Sequence, residues 1–264
     1  MTSRSPVRLP VLFVGHGSPM NAIEDNEWSR AFRALGARLP RAQAILCVSA
    51  HWFVPATLLT ANEHPETLHD FSGFPPALFA ARYPAPGDIG LAGRVRGLLG
   101  ADRAALSTDW GLDHGTWSVL LHLRPEADLP VVQLSIDHRL SPAEHLAIGR
   151  ALAPLREEGV LVMGSGNLVH NLGHAMRSHS RGDRSTPGWA KEFDAALVDA
   201  LQRHDHDFLV RALETEPGRM SHSTPDHYLP LLYAVGAAGG SGPVGFPVTG
   251  FDLGSLSMRS VLFG

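Results

Sequence analysis

Six short runs of aliphatic and β-branched residues punctuate the chain, at Val11 to Val14, Ala44 to Ser49, Thr57 to Ala61, Val131 to Ile136, Val160 to Met163 and Ser257 to Phe263. Most are apolar at consecutive rather than alternate positions, the pattern of strands covered on both faces, which helices must do. Segments with helical signals lie between them. Asn26 to Leu39 and Ile89 to Leu99 are two; Ser141-Pro142-Ala143-Glu144 reads as a capping box opening a third, to about Glu158 before Gly159. Thr186-Pro187 opens a fourth to Arg203, and Thr224-Pro225 a fifth through Val235, with Pro230 disturbing its first turns. The alternation predicts an α/β fold: one domain over 1–264, with a mostly buried, mixed central sheet flanked by helices on both faces. Ala44 to Ser49 and Thr57 to Ala61 stand too close for a crossover helix, so a hairpin is expected of them.

Composition narrows the partners. Hydrophobic residues at 44% supply a core, while 22 Lys plus Arg against 26 Asp plus Glu give a net charge of −4, which favours neither nucleic acid nor an anionic membrane. Cys47 is the single cysteine, so no internal disulfide and no cysteine-based zinc module can form. No apolar run approaches the 18 or so residues of a membrane span, and Arg4 and Arg8 precede too short an apolar stretch for a secretory leader. The expectation is a cytoplasmic protein in a reducing compartment, monomeric or a small homo-oligomer.

Fifteen histidines are the unusual number. His16, in Gly15-His16-Gly17-Ser18-Pro19, and His51, in Ser49-Ala50-His51-Trp52, each follow an expected strand. That places both at the carboxyl edge of the sheet, where α/β proteins bind ligands. His170 follows the run at Val160 and is expected on the first turn of a helix; His227 stands at a helix start, and Asp113-His114-Gly115 adds a fifth candidate. Any one of them alone reads as a structural histidine, and their repetition, mostly where a strand or helix boundary meets a loop, is what points to a metal or proton-transfer site.

Other motifs fail on inspection. Gly164-Ser165-Gly166 lacks the third glycine of a dinucleotide fingerprint, and Lys191, the only lysine, is not in a phosphate loop. Ser165 lacks the glycines two residues to each side that a nucleophile elbow requires.

Five motifs, Gly15-His16-Gly17-Ser18-Pro19-Met20, Ser49-Ala50-His51-Trp52, Asp113-His114-Gly115, Gly166-Asn167-Leu168-Val169-His170-Asn171 and Asp226-His227-Tyr228-Leu229-Pro230-Leu231-Leu232, occur in this order. Together they make the chain resemble the class III extradiol ring-cleaving dioxygenases, specifically the 4,5-DOPA dioxygenase branch. The likeness runs from about Pro10 to Met258 and includes His69-Asp70-Phe71-Ser72-Gly73-Phe74-Pro75, which borders the site in that branch. It implies that His16, His51 and His227 bind the metal, that His170 is the acid/base, and that His114 lines the oxygen and substrate pocket. Asp226, beside His227, is the alternative third ligand, since the wider class uses two histidines and a carboxylate.

The implied reaction inserts both atoms of O2 into a catechol, with Fe(II) as the active metal; Zn(II) can occupy the same imidazoles as isolated. Three neutral imidazoles leave the ion its full charge to stabilise a bound catecholate. A histidine titrating near neutrality suits the proton cycle assigned to His170. Trp52, Trp117, Phe71, Phe74 and Tyr228 are candidates for an apolar wall against the aromatic ring, with core packing as the alternative for each. Two other functions use the same residues: a zinc hydrolase with His170 as base, and a binding protein of this fold without turnover.

Overall fold

The computed structural model describes residues 8–264; residues 1–7, which include Arg4 of the leader reading, lie outside the described residues. Along the chain run β1 (Val11–Gly15), α1 (Glu27–Arg38), β2 (Ala44–Val54), β3 (Thr57–Thr60), α2 (Pro76–Ala80), α3 (Ile89–Leu99), β4 (Ala104–Ser107), α4 (His114–Leu123), β5 (Val131–Asp137) and α5 (Pro142–Ala151). They are followed by β6 (Val160–Gly166), α6 (Leu172–Ser180), α7 (Gly188–Gln202), α8 (His206–Arg211), α9 (Glu216–Ser221), α10 (Leu229–Ala238), β7 (Val244–Val248), β8 (Phe251–Asp252), β9 (Leu256–Ser257) and β10 (Ser260–Phe263).

Eight strands form one mixed sheet in the order β4-β3-β5-β2-β6-β1-β10-β7. The central four, β5, β2, β6 and β1, are parallel to their neighbours, with Ile45 beside Val131 and Leu161, and Val11 beside Val162. These are the most apolar runs of the sequence, and β1, β5 and β6 are buried along their whole length. Antiparallel pairs flank them, β3 on β5 and β10 on β1. One face packs against α3, α5, α7, α8 and α10 through residues such as Leu146, Phe193 and Leu232. The other packs against α1 and α4 through Phe32, Trp117 and Leu120. The α/β fold with a mixed sheet and helices on both faces is therefore as the sequence predicts.

Local chemistry sets the helix ends. Asn26 caps α1 by accepting from the backbone N–H groups of Trp28 and Ser29, and the Ser141/Glu144 capping box opens α5. Helix α5 stops at Ala151 and not near Glu158, because Pro154 cannot continue the backbone hydrogen-bond ladder and a short 3-10 turn over Ala153–Arg156 replaces it. Pro230 falls in the first turn of α10, which it can occupy without losing a bond, so the helix begins at Leu229 and Thr224 to Tyr228 stay outside it.

Two strand expectations change. The hairpin between β2 and β3 does not form: β3 reaches across to pair antiparallel with β5, Leu59 opposite Leu134. Ser135 Oγ anchors this crossing, donating to Ala56 O and accepting from Leu58 N. Strand β2 runs five residues past Ser49, which puts His51 inside it, at a break in the ladder where pairing with β5 lapses between Val48 and Phe53. No helix of the described residues is long and apolar enough to cross a membrane.

Arg156 joins distant parts of the chain. Fully buried, it donates from Nε to Leu9 O at 2.7 Å, from Nη1 to Ala238 O at 2.8 Å and from Nη2 to Gly264 O at 2.9 Å. Arg156→Met keeps the aliphatic bulk but leaves these carbonyls without their donors. The expected cost is on the order of 3 to 5 kcal/mol, read as a melting temperature lower by about 10 °C in a chain of this size.

Candidate metal centre

The sheet order explains why histidines far apart in sequence meet. Strands β2, β6 and β1 are neighbours, and their carboxyl ends deliver His51, the Gly166 to His170 turn and His16 to one edge. Gly17, at φ +64°, turns the chain after His16, and a Cβ there would lie 2.4 Å from Met258 Sδ. Gly166 allows the other close approach: a Cβ would stand 2.1 Å from His227 O, and the next residue's N–H, that of Asn167, donates to that same oxygen at 2.9 Å. The backbone of His227 is thereby held against the end of β6. Asp113 caps α4 by accepting from Thr116 N, placing His114 as the first residue of that helix.

All five histidines predicted from the sequence are gathered here. His16, His114 and His227 are buried, at 2%, 6% and 6% exposure, and His51 and His170 are partly so. The ring centroids of His16, His51 and His227 form a nearly equilateral triangle, at 5.1 Å for His16 to His51, 5.2 Å for His16 to His227 and 5.0 Å for His51 to His227. His114 and His170 sit outside that triangle, each packed on one of its corners. His114 lies 3.8 Å from the His51 centroid, and His170 is stacked on His227 at 3.5 Å with the planes 3° apart. Nitrogens of His16, His51 and His114 also come within 4.8 Å of one another, a second candidate donor set.

Hydrogen bonds assign tautomers to two of the triangle's imidazoles. Ser165 Oγ gives its proton to Gly115 O at 2.5 Å, so toward His16 Nδ1, 3.0 Å away, it accepts. Asp226 Oδ2 accepts from His227 Nδ1 at 2.6 Å. His16 and His227 therefore carry the proton on Nδ1 and keep a lone pair on Nε2. His51 Nε2 faces His16 Nε2 at 3.2 Å, and its Nδ1 is 3.4 Å from Asp70 Oδ2.

This donor set fits a first-row divalent ion. Metal–nitrogen bonds of about 2.1 Å put two nitrogens of one coordination sphere about 3.0 to 3.4 Å apart, and their ring centroids about 4.5 to 5.2 Å apart. The 3.2 Å separation of the His16 and His51 Nε2 atoms falls in range, as does the 5.0 to 5.2 Å ring spacing that brings His227 to the same pair. His16 and His227 each also have a hydrogen-bonded partner behind them, the arrangement that orients ligating histidines. Asp226, the alternative third ligand of the sequence, accepts through Oδ2 from His227 Nδ1, and its Oδ1 is buried without a partner.

Burial holds these imidazoles neutral. His16 and His227 are pushed well below the ordinary histidine range, by burial first and by neighbouring imidazoles second. Burial likewise takes His51 down to about 3 and His170 to about 4. Away from the site, burial lowers His145, bonded to Tyr233, to about 4. A histidine depressed in the folded state binds fewer protons than in the unfolded chain between its folded value and 6.5. Its stabilising effect is complete above pH 6.5 and is lost as pH falls toward 4. Metal-free protein is expected to melt at steadily lower temperature across that window, each such group removing about 1.4 kcal/mol per pH unit. His145→Gln should flatten the slope, a change that thermal melts from pH 7 to 4 would detect.

Several sequence expectations shift at atomic detail. His170 is not on a helix: it precedes the Asn171 cap of α6 and makes isolated bridges to His222 and Leu256. Of the proposed apolar wall, Phe71 and Phe74 border the site, with Phe71 5.4 Å from the His114 ring and Phe74 5.3 Å from Phe71. Trp52, Trp117 and Tyr228 are core residues instead. Trp52 is buried and stacked on Trp110, Trp117 Nε1 donates to Leu68 O, and Tyr228 Oη donates to Leu209 O. Sequence reasoning gave no role to Ser165 or Asp70. Ser165 was recognisable only as a failed nucleophile motif, and Asp70 only by its place between His69 and Phe71.

Comparison with known proteins places the chain in a family. The family described as the catalytic LigB subunit of aromatic ring-opening dioxygenase matches residues 10–255, a span holding all five histidine motifs. 4,5-DOPA dioxygenase extradiol of Escherichia coli (strain K12) is 48% identical over 98% of this chain and 96% of its own length. A protein of the same description from Beta vulgaris is 36% identical over 95% of each. The crystal structure of an uncharacterized protein from Escherichia coli K12 matches with a TM-score of 0.85 at 45% identity, covering 97% of this chain and 100% of that one. By sequence and by fold, the chain belongs to the LigB family and is an aromatic ring-opening dioxygenase.

Proposed function

We propose that this enzyme is a non-haem Fe(II)-dependent extradiol dioxygenase that opens the ring of a catechol, DOPA or a related aromatic diol, to a semialdehyde carrying both atoms of O2. His16, His51 and His227 would hold the metal. The observation that carries this reading is their near-equilateral spacing, 5.0 to 5.2 Å between ring centroids, with a lone pair on Nε2 of His16 and His227. Bound there, Fe(II) supplies the redox step between catechol and O2 that a redox-inert Zn(II) cannot. The pairing of His51 with His114 at 3.8 Å, and of His170 with His227 at 3.5 Å, supports roles for His114 and His170 other than ligation. Two rings that close do not suit one coordination sphere.

His170 is the acid/base in this reading. Burial keeps its imidazole neutral, so it can accept the proton of a catechol hydroxyl and return it as the ring opens. His114, in edge contact with Phe71, which in turn packs against Phe74, would line the oxygen and substrate pocket. Asp226 holds the Nδ1 proton of His227 throughout. A cytoplasmic location, as monomer or small homo-oligomer, belongs to the same proposal.

One preparation tests it. Protein reconstituted anaerobically with Fe(II) and then mixed with air and a panel of catechols should consume O2 and form a yellow ring-opened product. Absence of both across the panel, with ester or amide hydrolysis by a zinc-loaded sample, would transfer the site to a hydrolase.

A further inference from the structure

We propose that Gln133, a buried amide on the central strand β5, is a positioning residue: it grips Asp113 by its backbone N–H and its side chain together and so sets the start of α4, where His114 and Gly115 stand. Its consequence for catalysis rests on the reading above of His114 as a pocket residue and of His16 and His51 as ligands. Gln133 has no exposed surface, and its neighbours Val132 and Leu134 are buried with it. Burying an amide costs free energy unless both of its ends are hydrogen-bonded, a cost that an aliphatic side chain avoids. Side chains alternate along a strand, and Val131, two residues away, packs with Trp117 and Leu120 of α4, so Gln133 faces the same helix.

The amide spends both ends on one residue. Oε1 accepts from Asp113 N at 2.9 Å, and Nε2 donates to Asp113 Oδ2 at 2.7 Å. A flipped amide would set its NH2 group against the backbone N–H, so the orientation is fixed. Asp113 Oδ1 accepts from Thr116 N at 3.2 Å, the cap of α4, and from Ser49 Oγ at 2.6 Å. Ser49 Oγ in turn accepts from the backbone N–H of His51 at 3.3 Å. One residue past His114, Gly115 O accepts from Ser165 Oγ at 2.5 Å, the hydroxyl that accepts from His16 Nδ1. There is no slack here: a Cβ at Gly115 would lie 2.6 Å from Ser49 Oγ and 2.9 Å from His51 Cδ2. A displaced start of α4 therefore reaches His114, His51 and His16 together. Capping alone would need only Asp113 Oδ1; Oδ2 goes to Gln133 and, at a longer 3.4 Å, to Trp110 Nε1.

The hydrogen-bond pattern can be exchanged between the two side chains, and that exchange supplies the test. In Asp113→Asn the new NH2 group must face either Gln133 Nε2 or the Thr116 N–H, donor against donor. Adding Gln133→Glu restores the match: the amide at 113 donates to one glutamate oxygen, and the other still accepts the backbone N–H at 113. The double variant keeps one buried carboxyl, as in the wild type.

The first measurement uses metal-free protein labelled with 13C at histidine. The ring signal of His114, assigned by its loss in His114→Ala, should move in Asp113→Asn and in Gln133→Met and return toward its wild-type position in the double variant. The second is steady-state turnover of the iron-loaded proteins on catechol, well below their melting temperatures. Asp113→Asn and Gln133→Met should lose about 10- to 100-fold in kcat, the range for removing a partner behind a site residue, with KM changing less, and the double variant should recover most of it. A double variant no better than Asp113→Asn in either readout overturns the proposal, because a cap formed by Asp113 alone gains nothing from a change at 133. If Asp113→Asn does not fold, Gln133→Met decides: an unmoved His114 signal, or wild-type kcat and KM whatever the melting temperature, overturns it. A wild type that takes up no Fe(II) or turns over no catechol removes the functional reading, and the histidine signals then decide by themselves whether Gln133 positions His114.

Discussion

His227→Ala is expected to reduce bound metal from stoichiometric to trace, as His16→Ala and His51→Ala should, whereas His114→Ala retains it. Removing one of three protein ligands costs more than the 10- to 100-fold that follows from losing a partner behind a ligand. The contrast between His227 and His114 is the informative part. Ring spacing selects His227, with centroids 5.2 and 5.0 Å from His16 and His51, while nitrogen proximity groups His114 with the same pair. His114 already stands 3.8 Å from the His51 ring, closer than the 4.5 to 5.2 Å or so expected of two imidazoles on one ion. Metal analysis of the four purified variants, each checked for a native circular dichroism spectrum, gives the answer. Metal kept by His227→Ala and lost from His114→Ala would replace the third ligand in our assignment.

The second large effect belongs to His170. His170→Ala should keep its iron and still bind catechol, yet turn over roughly 10²- to 10⁴-fold more slowly, the usual range for a missing general acid or base. Stacked on His227 at 3.5 Å and 3°, His170 is close enough to the centre to exchange a proton with substrate. Single-turnover rates separate this from a binding defect. Iron lost from the variant would make His170 a ligand, and an unchanged rate would assign the proton transfer to another group.

The local signals that were legible share a cause: they depend on few residues. Ser141 caps α5 with its own side chain, and that cap is readable as a box because Glu144 completes it within one turn. Helix α4 itself was not legible. Nine of its ten residues are buried, so it has no polar face and no amphipathic period to detect. The sequence places His51 after its strand because the apolar run ends at Ser49, although the strand persists to Val54 through a break in pairing that only the neighbouring β5 defines.

The sequence by itself determined the α/β class, the buried mixed sheet and the five histidines, because consecutive apolar residues demand two covered faces and three of the motifs follow those runs directly. Tertiary structure alone decided which strands are neighbours, and hence that β2, β6 and β1 bring His51, His170 and His16 together. It also decided the direction of the lone pairs of His16 and His227, through Ser165, 149 residues from His16, and Asp226. It separated Phe71 and Phe74 at the site from Trp52, Trp117 and Tyr228 in the core. The physical reason is that hydrophobicity and capping act along the chain, whereas coordination and hydrogen-bond direction depend on atoms a few ångströms apart in space, positions that strand order fixes and residue order does not.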